Sequence, residues 1–522
     1  MSTSDRSLRS GFLRQVALRP DAPALVVKDR AYSYGELDAI ARRWAGAVVE
    51  HKGGPAERVG VFGSRSLISY AAALAALYSG AAFVPLNPRF PADRTRAMIE
   101  RAGLDAIFVD KLASNQLASV LGGLDHPPPV WLPEGESAEF LSSVKPLGEL
   151  PPLAPDRVAY LLFTSGTTGI PKGVPIIHSN VRALVDWAAD RYQIRPEDRF
   201  SQTFDQTFDL SVFDLFVAWE AGACVYAMSP IDLLAPGGFI NKNQLTVWFS
   251  VPSIPAQMRK RNLLRPETLP TLRWSLFCGE PLPRETAEKW QEAAPNSIVE
   301  NLYGPTELTI ACTVHRWDPD SSAEVCVNDM VPIGVPYPGL AAVLVDDELR
   351  IVPEGTPGEL CLCGAQTSPG YWKDPIKTAA RFVKIPGSGH PDAVFYRTGD
   401  LARQLPNGEY VCLGRTDHQI KVLGFRVELG EIEGVLLQGK GVVQAVAMGW
   451  PMVEGTAKGI VAFVSGAAID TAGLLAACKA SLADYMVPSR ILLVEEMPLN
   501  ANGKVDRMAL KMLLESGQPE AA

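Results

Sequence analysis

The run Leu161-Leu-Phe-Thr164-Ser165-Gly166-Thr167-Thr168-Gly169-Ile-Pro171-Lys172-Gly173 gathers what a phosphate site needs. Small residues let backbone N–H groups approach anionic oxygens, hydroxyls add donors, and a lysine adds positive charge. The apolar residues before it predict a strand that runs into this loop. It is not a Walker loop, because Pro171 precedes Lys172 and Gly173 follows it where Gly and Ser/Thr would stand. The competing reading is a flexible Gly/Thr surface loop with an incidental lysine. The convergence of three kinds of donor favours phosphate handling.

Further stretches recur downstream: Tyr303-Gly304-Pro305-Thr306-Glu307, Tyr396-Arg397-Thr398-Gly399-Asp400, Gly414-Arg415-Thr416-Asp417-His418-Gln419-Ile-Lys-Val-Leu-Gly424-Phe-Arg426-Val-Glu428 and Asn500-Ala-Asn502-Gly503-Lys504-Val-Asp506-Arg507. Each alone has a plain reading, since Tyr-Gly-Pro-Thr can be a turn, Asn-Gly a hairpin, and Gly399-Asp400 a turn between strands. Together and in this order they resemble the adenylate-forming superfamily. That superfamily includes nonribosomal-peptide adenylation domains, D-alanine:carrier-protein ligases, acyl-CoA synthetases and luciferases. The resemblance runs from Tyr32-Ser33-Tyr34-Gly35-Glu36-Leu37 to Arg507.

It implies a chemistry in which a carboxylate attacks the α-phosphorus of ATP and pyrophosphate leaves, so that cations and Mg2+ must neutralise two converging anions. By resemblance the catalytic residues are Lys504, reaching the substrate carboxylate and α-phosphate, with Lys172 and Arg415. Thr164, Thr168 and Lys172 handle the β- and γ-phosphates, Glu307 positions Mg2+, Asp400 takes the ribose hydroxyls, Tyr303 stacks on adenine and Asn301 reads its amino group. Ser165, Gly166, Thr167, Gly169, Gly279, Glu280, Gly304 and Thr306 complete the nucleotide set. His178 is read as a contact at a helix start and is given no catalytic role.

Asp209, in Thr207-Phe208-Asp209-Leu210-Ser211-Val212-Phe213-Asp214, aligns with the aspartate with which amino-acid-activating members pair the substrate's α-ammonium; a helix N-cap is the alternative. The family's pocket positions fall on Asp209, Leu210, Phe213, Phe249, Leu276, Cys278, Leu302, Ile310 and Ala311. Two rings in an apolar set predict a small substrate: L-proline first, then alanine, glycine or 2-aminobutyrate. The set looks closest to L-prolyl ligases, with D-alanyl ligases also resembled. No phosphopantetheine-accepting motif follows Arg507, so a separate phosphopantetheinylated carrier protein is the expected acceptor; an acyl-CoA synthetase for a small carboxylic acid is the rival.

These residues need a scaffold, and the first part of the chain supplies the alternation of a parallel α/β architecture. Strands are expected at Arg58-Val-Gly-Val-Phe, Ala106-Ile-Phe-Val, Val158-Ala-Tyr-Leu-Leu-Phe and Leu245-Thr-Val-Trp-Phe-Ser, and a helix from Gly35. The Pro-rich stretch 126–155 reads as an exposed connector. After about 330 short strands and Gly/Pro turns predict a β-rich subdomain, and from about 415 a small α+β domain follows, with helices near 430–437 and 471–483 and strands at Val442 to Gly449 and Gly459 to Val464. The expectation is therefore an α/β protein with two α/β subdomains and a β-rich subdomain in a core over 1–414, a hinge at 415–417, and a mobile α+β lid over 418–522. By resemblance, Lys504 serves adenylation and the segment Gly424 to Arg426 serves thioester formation. A net charge of -9 over 522 residues argues against nucleic acid, and the interrupted apolar runs and the N-terminal sequence predict a cytoplasmic protein without membrane contact. Eight cysteines without CxxC spacing predict reduced, mostly buried thiols, with Cys361 and Cys363 on one strand face.

Overall fold

The computed structural model describes residues 6–165, 171–416, 419–454, 456–499 and 505–516. The chain forms two compact units. The first comprises Met1–Pro88, Met98–Phe163 and Gly173–Asp417, and the second Arg89–Ala97, Thr164–Lys172 and His418–Ala522. It is an α/β protein with a large N-terminal domain and a smaller C-terminal one.

Three sheets organise the large domain. In the six-stranded sheet the parallel strands Arg58–Phe62, Ala82–Leu86, Ala106–Val109 and Val158–Thr164 carry near-continuous apolar runs, as strands covered on both faces must. The nine-stranded sheet centres on the parallel strands Arg199–Gln202, Val247–Ser250, Trp274–Phe277 and Ile298–Tyr303, closed by the antiparallel Thr313–Arg316. Such sheets bind ligands outside the carboxyl ends of their strands, which is where the residues of interest lie. The third sheet, five-stranded and β-rich as expected, runs from Leu340–Val345 to Tyr410–Arg415. In the second unit the described residues form a four-stranded and a three-stranded sheet with helices Leu429–Leu437, Thr471–Ser481 and Arg507–Glu515.

Local sequence accounts for much of this. Ser33 and Glu36 form a capping box that starts the helix Tyr34–Lys52, and Gly53 ends it with a left-handed residue. Cys361 and Cys363 are both buried core residues on the strand Gly358–Gly364. One expectation needs correction: the Pro-rich stretch is no bare connector. It holds the strand Val130–Trp131, paired with Ala106–Val109, and the helix Ala138–Ser143, because Trp131 and Leu141 supply apolar anchors that the prolines obscure. No described helix is long and apolar enough to cross a membrane.

Two turn glycines in the β-rich region make a paired test. Both Gly334 and Gly339 have positive φ, but a Cβ at Gly334 would sit 1.9 Å from the Val314 carbonyl oxygen, whereas one at Gly339 meets nothing within 4 Å. Gly339→Ala is expected to cost about 1 kcal/mol through backbone strain alone. Gly334→Ala must also displace backbone and should lower the thermal midpoint considerably more.

Candidate active site

The nucleotide-side residues converge across the sheets of the first unit. The strand Ile298–Tyr303 carries Asn301 and Tyr303 two residues apart, hence on one face. The Asn301 amide nitrogen donates to the Pro332 carbonyl at 2.8 Å, while its buried Oδ1 has no hydrogen-bond partner. That leaves an acceptor suited to a ligand N–H. The Tyr303 hydroxyl donates to Asp400 Oδ2 at 2.6 Å, and Arg415 Nη1 donates to Asp400 Oδ1 at 2.6 Å. Burial, reinforced by Asp400, holds the Tyr303 phenol well above its ordinary range, so it stays a neutral donor. The antiparallel register places Asp400 opposite Arg415, which is why motifs fifteen residues apart in sequence meet. A carboxylate offers about four lone-pair sites, so ribose hydroxyls can share Asp400 with these donors.

Gly304 and Gly279 are there for space and backbone. A Cβ on Gly304 would come within 2.5 Å of Ala311 Cα, and Gly279 has φ +95°. The next residue, Glu280, is buried and accepts from the Ser253 backbone amide at 2.8 Å. Glu307 is fully buried beside Thr306, and Tyr371 donates to its Oε1 at 2.8 Å. Tyr371 was not anticipated; nothing in its local sequence marks it apart from any core tyrosine.

The pocket positions form one buried cluster: Leu210, Phe213, Phe249, Leu276, Cys278, Leu302, Ile310 and Ala311 all pack within the same core. Phe213 and Phe249 meet edge to face with centroids 4.9 Å apart. Asp209 stands at the N-cap position of the helix Leu210–Ala221, yet its side chain makes no capping bond and Oδ2 has no hydrogen-bond partner among the described residues. Burial pushes its carboxyl up to about 7, with Glu307 raising it further and the Thr306 hydroxyl and Leu210 amide pulling back.

Within the second unit Lys172 is buried and pairs with Glu428 at 2.9 Å, and Ser165 donates to the Arg426 carbonyl at 2.7 Å. The buried Thr164 hydroxyl has no hydrogen-bond partner among the described residues. Gly166, Thr167, Thr168, Gly169 and Lys504 lie outside the described residues, as does Asp417 of the expected hinge. Arg415 closes the strand Tyr410–Arg415. His178 opens the helix His178–Tyr192, is buried, and accepts from the Leu8 amide through Nδ1 at 3.1 Å.

Comparison with known proteins bears on this arrangement. Residues 12–372 match the family model for AMP-binding enzymes, and residues 431–504 match the AMP-binding enzyme C-terminal domain. A probable non-canonical nonribosomal peptide synthetase, CymA, of Salinispora arenicola is 34% identical over 96% of this chain, which spans 6% of that protein. The Vibrio cholerae adenylation domain AlmE, solved in complex with glycyl-adenosine-5'-phosphate, is 32% identical with a TM-score of 0.86, covering 98% of each chain. Holo-PA1221, a nonribosomal peptide synthetase protein containing adenylation and PCP domains, is 26% identical with a TM-score of 0.81, over 97% of this chain and 84% of that one.

The electrostatics of Asp209 set a stability test. A folded-state pKa of about 7 against an unfolded value of about 3.9 means that ionising Asp209 opposes folding. The penalty is absent below about pH 4, grows between 4 and 7, and levels off above pH 7 at up to about 4 kcal/mol. Asp209→Asn should therefore be more stable than the wild type at pH 8 and no more stable at pH 4, as read by chemical denaturation at the two pH values.

Proposed function

The chain belongs to the family of AMP-binding enzymes and carries that family's C-terminal domain, and from this premise we propose that it activates a small amino acid as its aminoacyl-adenylate and passes the acyl group to a carrier-protein thiol. One observation carries the amino-acid assignment: Asp209, next to the proposed apolar pocket residue Leu210, is buried with an oxygen that has no hydrogen-bond partner among the described residues. An isolated buried charge is costly unless it is paired, and a substrate ammonium is the partner that repays it. A simple carboxylic acid would leave Asp209 uncompensated. The carrier acceptor is supported by holo-PA1221, whose adenylation domain accompanies a PCP domain.

In this reading the adenine stacks on Tyr303 and gives its amino N–H to the free Oδ1 of Asn301, while Asp400 holds the ribose. Arg415 and Lys172, with Lys504 and the Thr164–Gly169 loop, neutralise the triphosphate as the carboxylate oxygen attacks the α-phosphorus and pyrophosphate departs. The thiol sulfur then attacks the acyl carbonyl, loses its proton, and expels AMP. The residues fit a divalent cation: Glu307 is a buried oxygen donor of the kind Mg2+ takes. Bound Mg2+ would neutralise phosphate charge there. The order Lys504 for adenylation, Gly424 to Arg426 for transfer, and a lid turning at 415–417 belong to the same proposal.

The apolar lining admits proline, alanine, glycine or 2-aminobutyrate. Its composition favours L-proline, and the glycyl adenylate of AlmE supports glycine as the nearest competitor. A panel of amino acids and simple carboxylic acids in ATP–pyrophosphate exchange tests this directly. Small apolar amino acids should lead, since one methylene of misfit is worth about 10- to 200-fold in kcat/KM; exchange driven by simple acids alone would favour the acyl-CoA synthetase alternative. Phe249→Ala should move preference towards bulkier apolar amino acids.

Two further outcomes follow. Lys504→Ala should cut adenylate formation by roughly 100-fold or more while sparing transfer from supplied aminoacyl-adenylate; equal losses would remove the division of labour. Because the protonated acid cannot pair with an ammonium, kcat/KM for the amino acid should rise with pH through about 7 in the free enzyme. A flat profile from pH 6 to 8 would detach Asp209 from substrate binding.

A further inference from the structure

The pocket wall rests on a strained turn. Thr309 and Ile310 have φ of +56° and +75°, and they are the only β-branched residues with left-handed backbone among those described. Branching at Cβ makes this region especially unfavourable, so the conformation persists only if its surroundings impose it. Around Ile310 the Ala311 amide donates to the Thr309 carbonyl at 2.9 Å, closing a three-residue turn of the rare kind with positive φ.

What imposes it is a side chain from the turn that follows the strand Gly358–Gly364. Gln366 is 3% exposed, and its amide nitrogen faces three carbonyls of the turn: Leu308 at 3.2 Å, Thr309 at 3.2 Å and Ala311 at 2.7 Å. In return the Thr309 hydroxyl donates to the Gln366 carbonyl at 2.6 Å. Two residues on, the Ser368 amide donates to the Glu307 carbonyl at 2.9 Å. The strap from Gln366 to Tyr371 thus grips the same loop at Glu307 and at Ile310–Ala311.

We propose that Gln366 is a specificity-determining positioning residue, whose amide holds the Thr309–Ile310 turn in its left-handed form and so fixes the pocket wall formed by Ile310 and Ala311. This rests on the assignment of those two residues to the acyl pocket. The side chain touches no substrate. It acts by denying the wall the relaxed conformations that a β-branched pair prefers, which matters most where discrimination depends on apolar fit.

The test is Gln366→Met, which keeps length and volume but removes the donors, with Gln366→Asn as a variant that retains an amide on a shorter arm. In ATP–pyrophosphate exchange, Gln366→Met should raise KM for the best amino acid about tenfold or more. It should also shrink the kcat/KM ratio between that substrate and one a methylene larger by about tenfold, while KM for ATP stays within about twofold. Adding Thr309→Asn, whose side chain tolerates left-handed backbone, should recover part of the selectivity. The proposal is overturned if Gln366→Met lowers the thermal midpoint yet leaves the selectivity ratio intact, or if the KM values for ATP and amino acid rise together. If Gln366→Met does not fold, Gln366→Asn decides on the same ratio. A wild type that activates only simple carboxylic acids rejects the amino-acid reading instead, and the ratio is then measured between two acids differing by one methylene.

Discussion

Negative charge confined in a low-dielectric site is the constraint on which the rest of the arrangement depends. Asp209 and Glu307 are both buried, and burial above all, with Glu307 adding to it, leads Asp209 to hold its proton to about neutral pH. Asp209 has no lysine or arginine salt bridge among the described residues, in contrast to Asp400, which is tied to Arg415. Evolution of a packed core alone would replace such a group with an apolar side chain. A buried carboxylate here makes sense if a cation arrives with the ligand, and the surrounding elements then have the task of keeping water out and oxygen atoms in place.

The scaffold does this by setting several of these groups on neighbouring strands. Asn301 and Tyr303 leave the nine-stranded sheet where Phe277 and His315 fix the register of Asn301, and Asp400 faces Arg415 across the five-stranded one. The pocket rings are held from behind: the Ser201 hydroxyl accepts from the Phe249 amide at 2.9 Å and Thr203 donates to its carbonyl at 2.7 Å. The backbone on both sides of Phe249 is thereby fixed.

Much of this was legible in the sequence because it is local or periodic. Strands such as Arg58–Phe62 and Ala106–Val109 announce themselves as short apolar runs, and the capping box at Ser33 and Glu36 is a four-residue signal. The motif residues could be proposed by type, since phosphate and ribose chemistry restricts which side chains serve. What could not be read was tertiary: Tyr371 supporting Glu307 from 64 residues away, Gln366 gripping a turn 55 to 58 residues earlier, and the segments Arg89–Ala97 and Thr164–Lys172 joining the second unit. A tyrosine or glutamine in a short Gly/Pro-rich stretch has no pattern that distinguishes support from filler. The strain at Ile310 was equally hidden, because isoleucine is the residue type least expected there.

That last point bears on how an apolar pocket selects at all. A site that recognises a hydroxyl or a charge can rely on bond geometry to reject the wrong ligand, and modest wall motion costs it little. In the proposed function a pocket of Phe213, Phe249, Leu302 and Ile310, all residues of one apolar core, has only shape, and shape is as sharp as the wall is rigid. Packed aromatic edges supply rigidity on one side. On the other the chain passes through a turn, where a backbone would ordinarily be free to adjust, and there the structure spends buried amide hydrogen bonds to hold a conformation that the residues themselves disfavour. Under the proposed assignment, that unfavourable backbone is what lets two adjacent side chains serve one wall at a place where no regular element presents them.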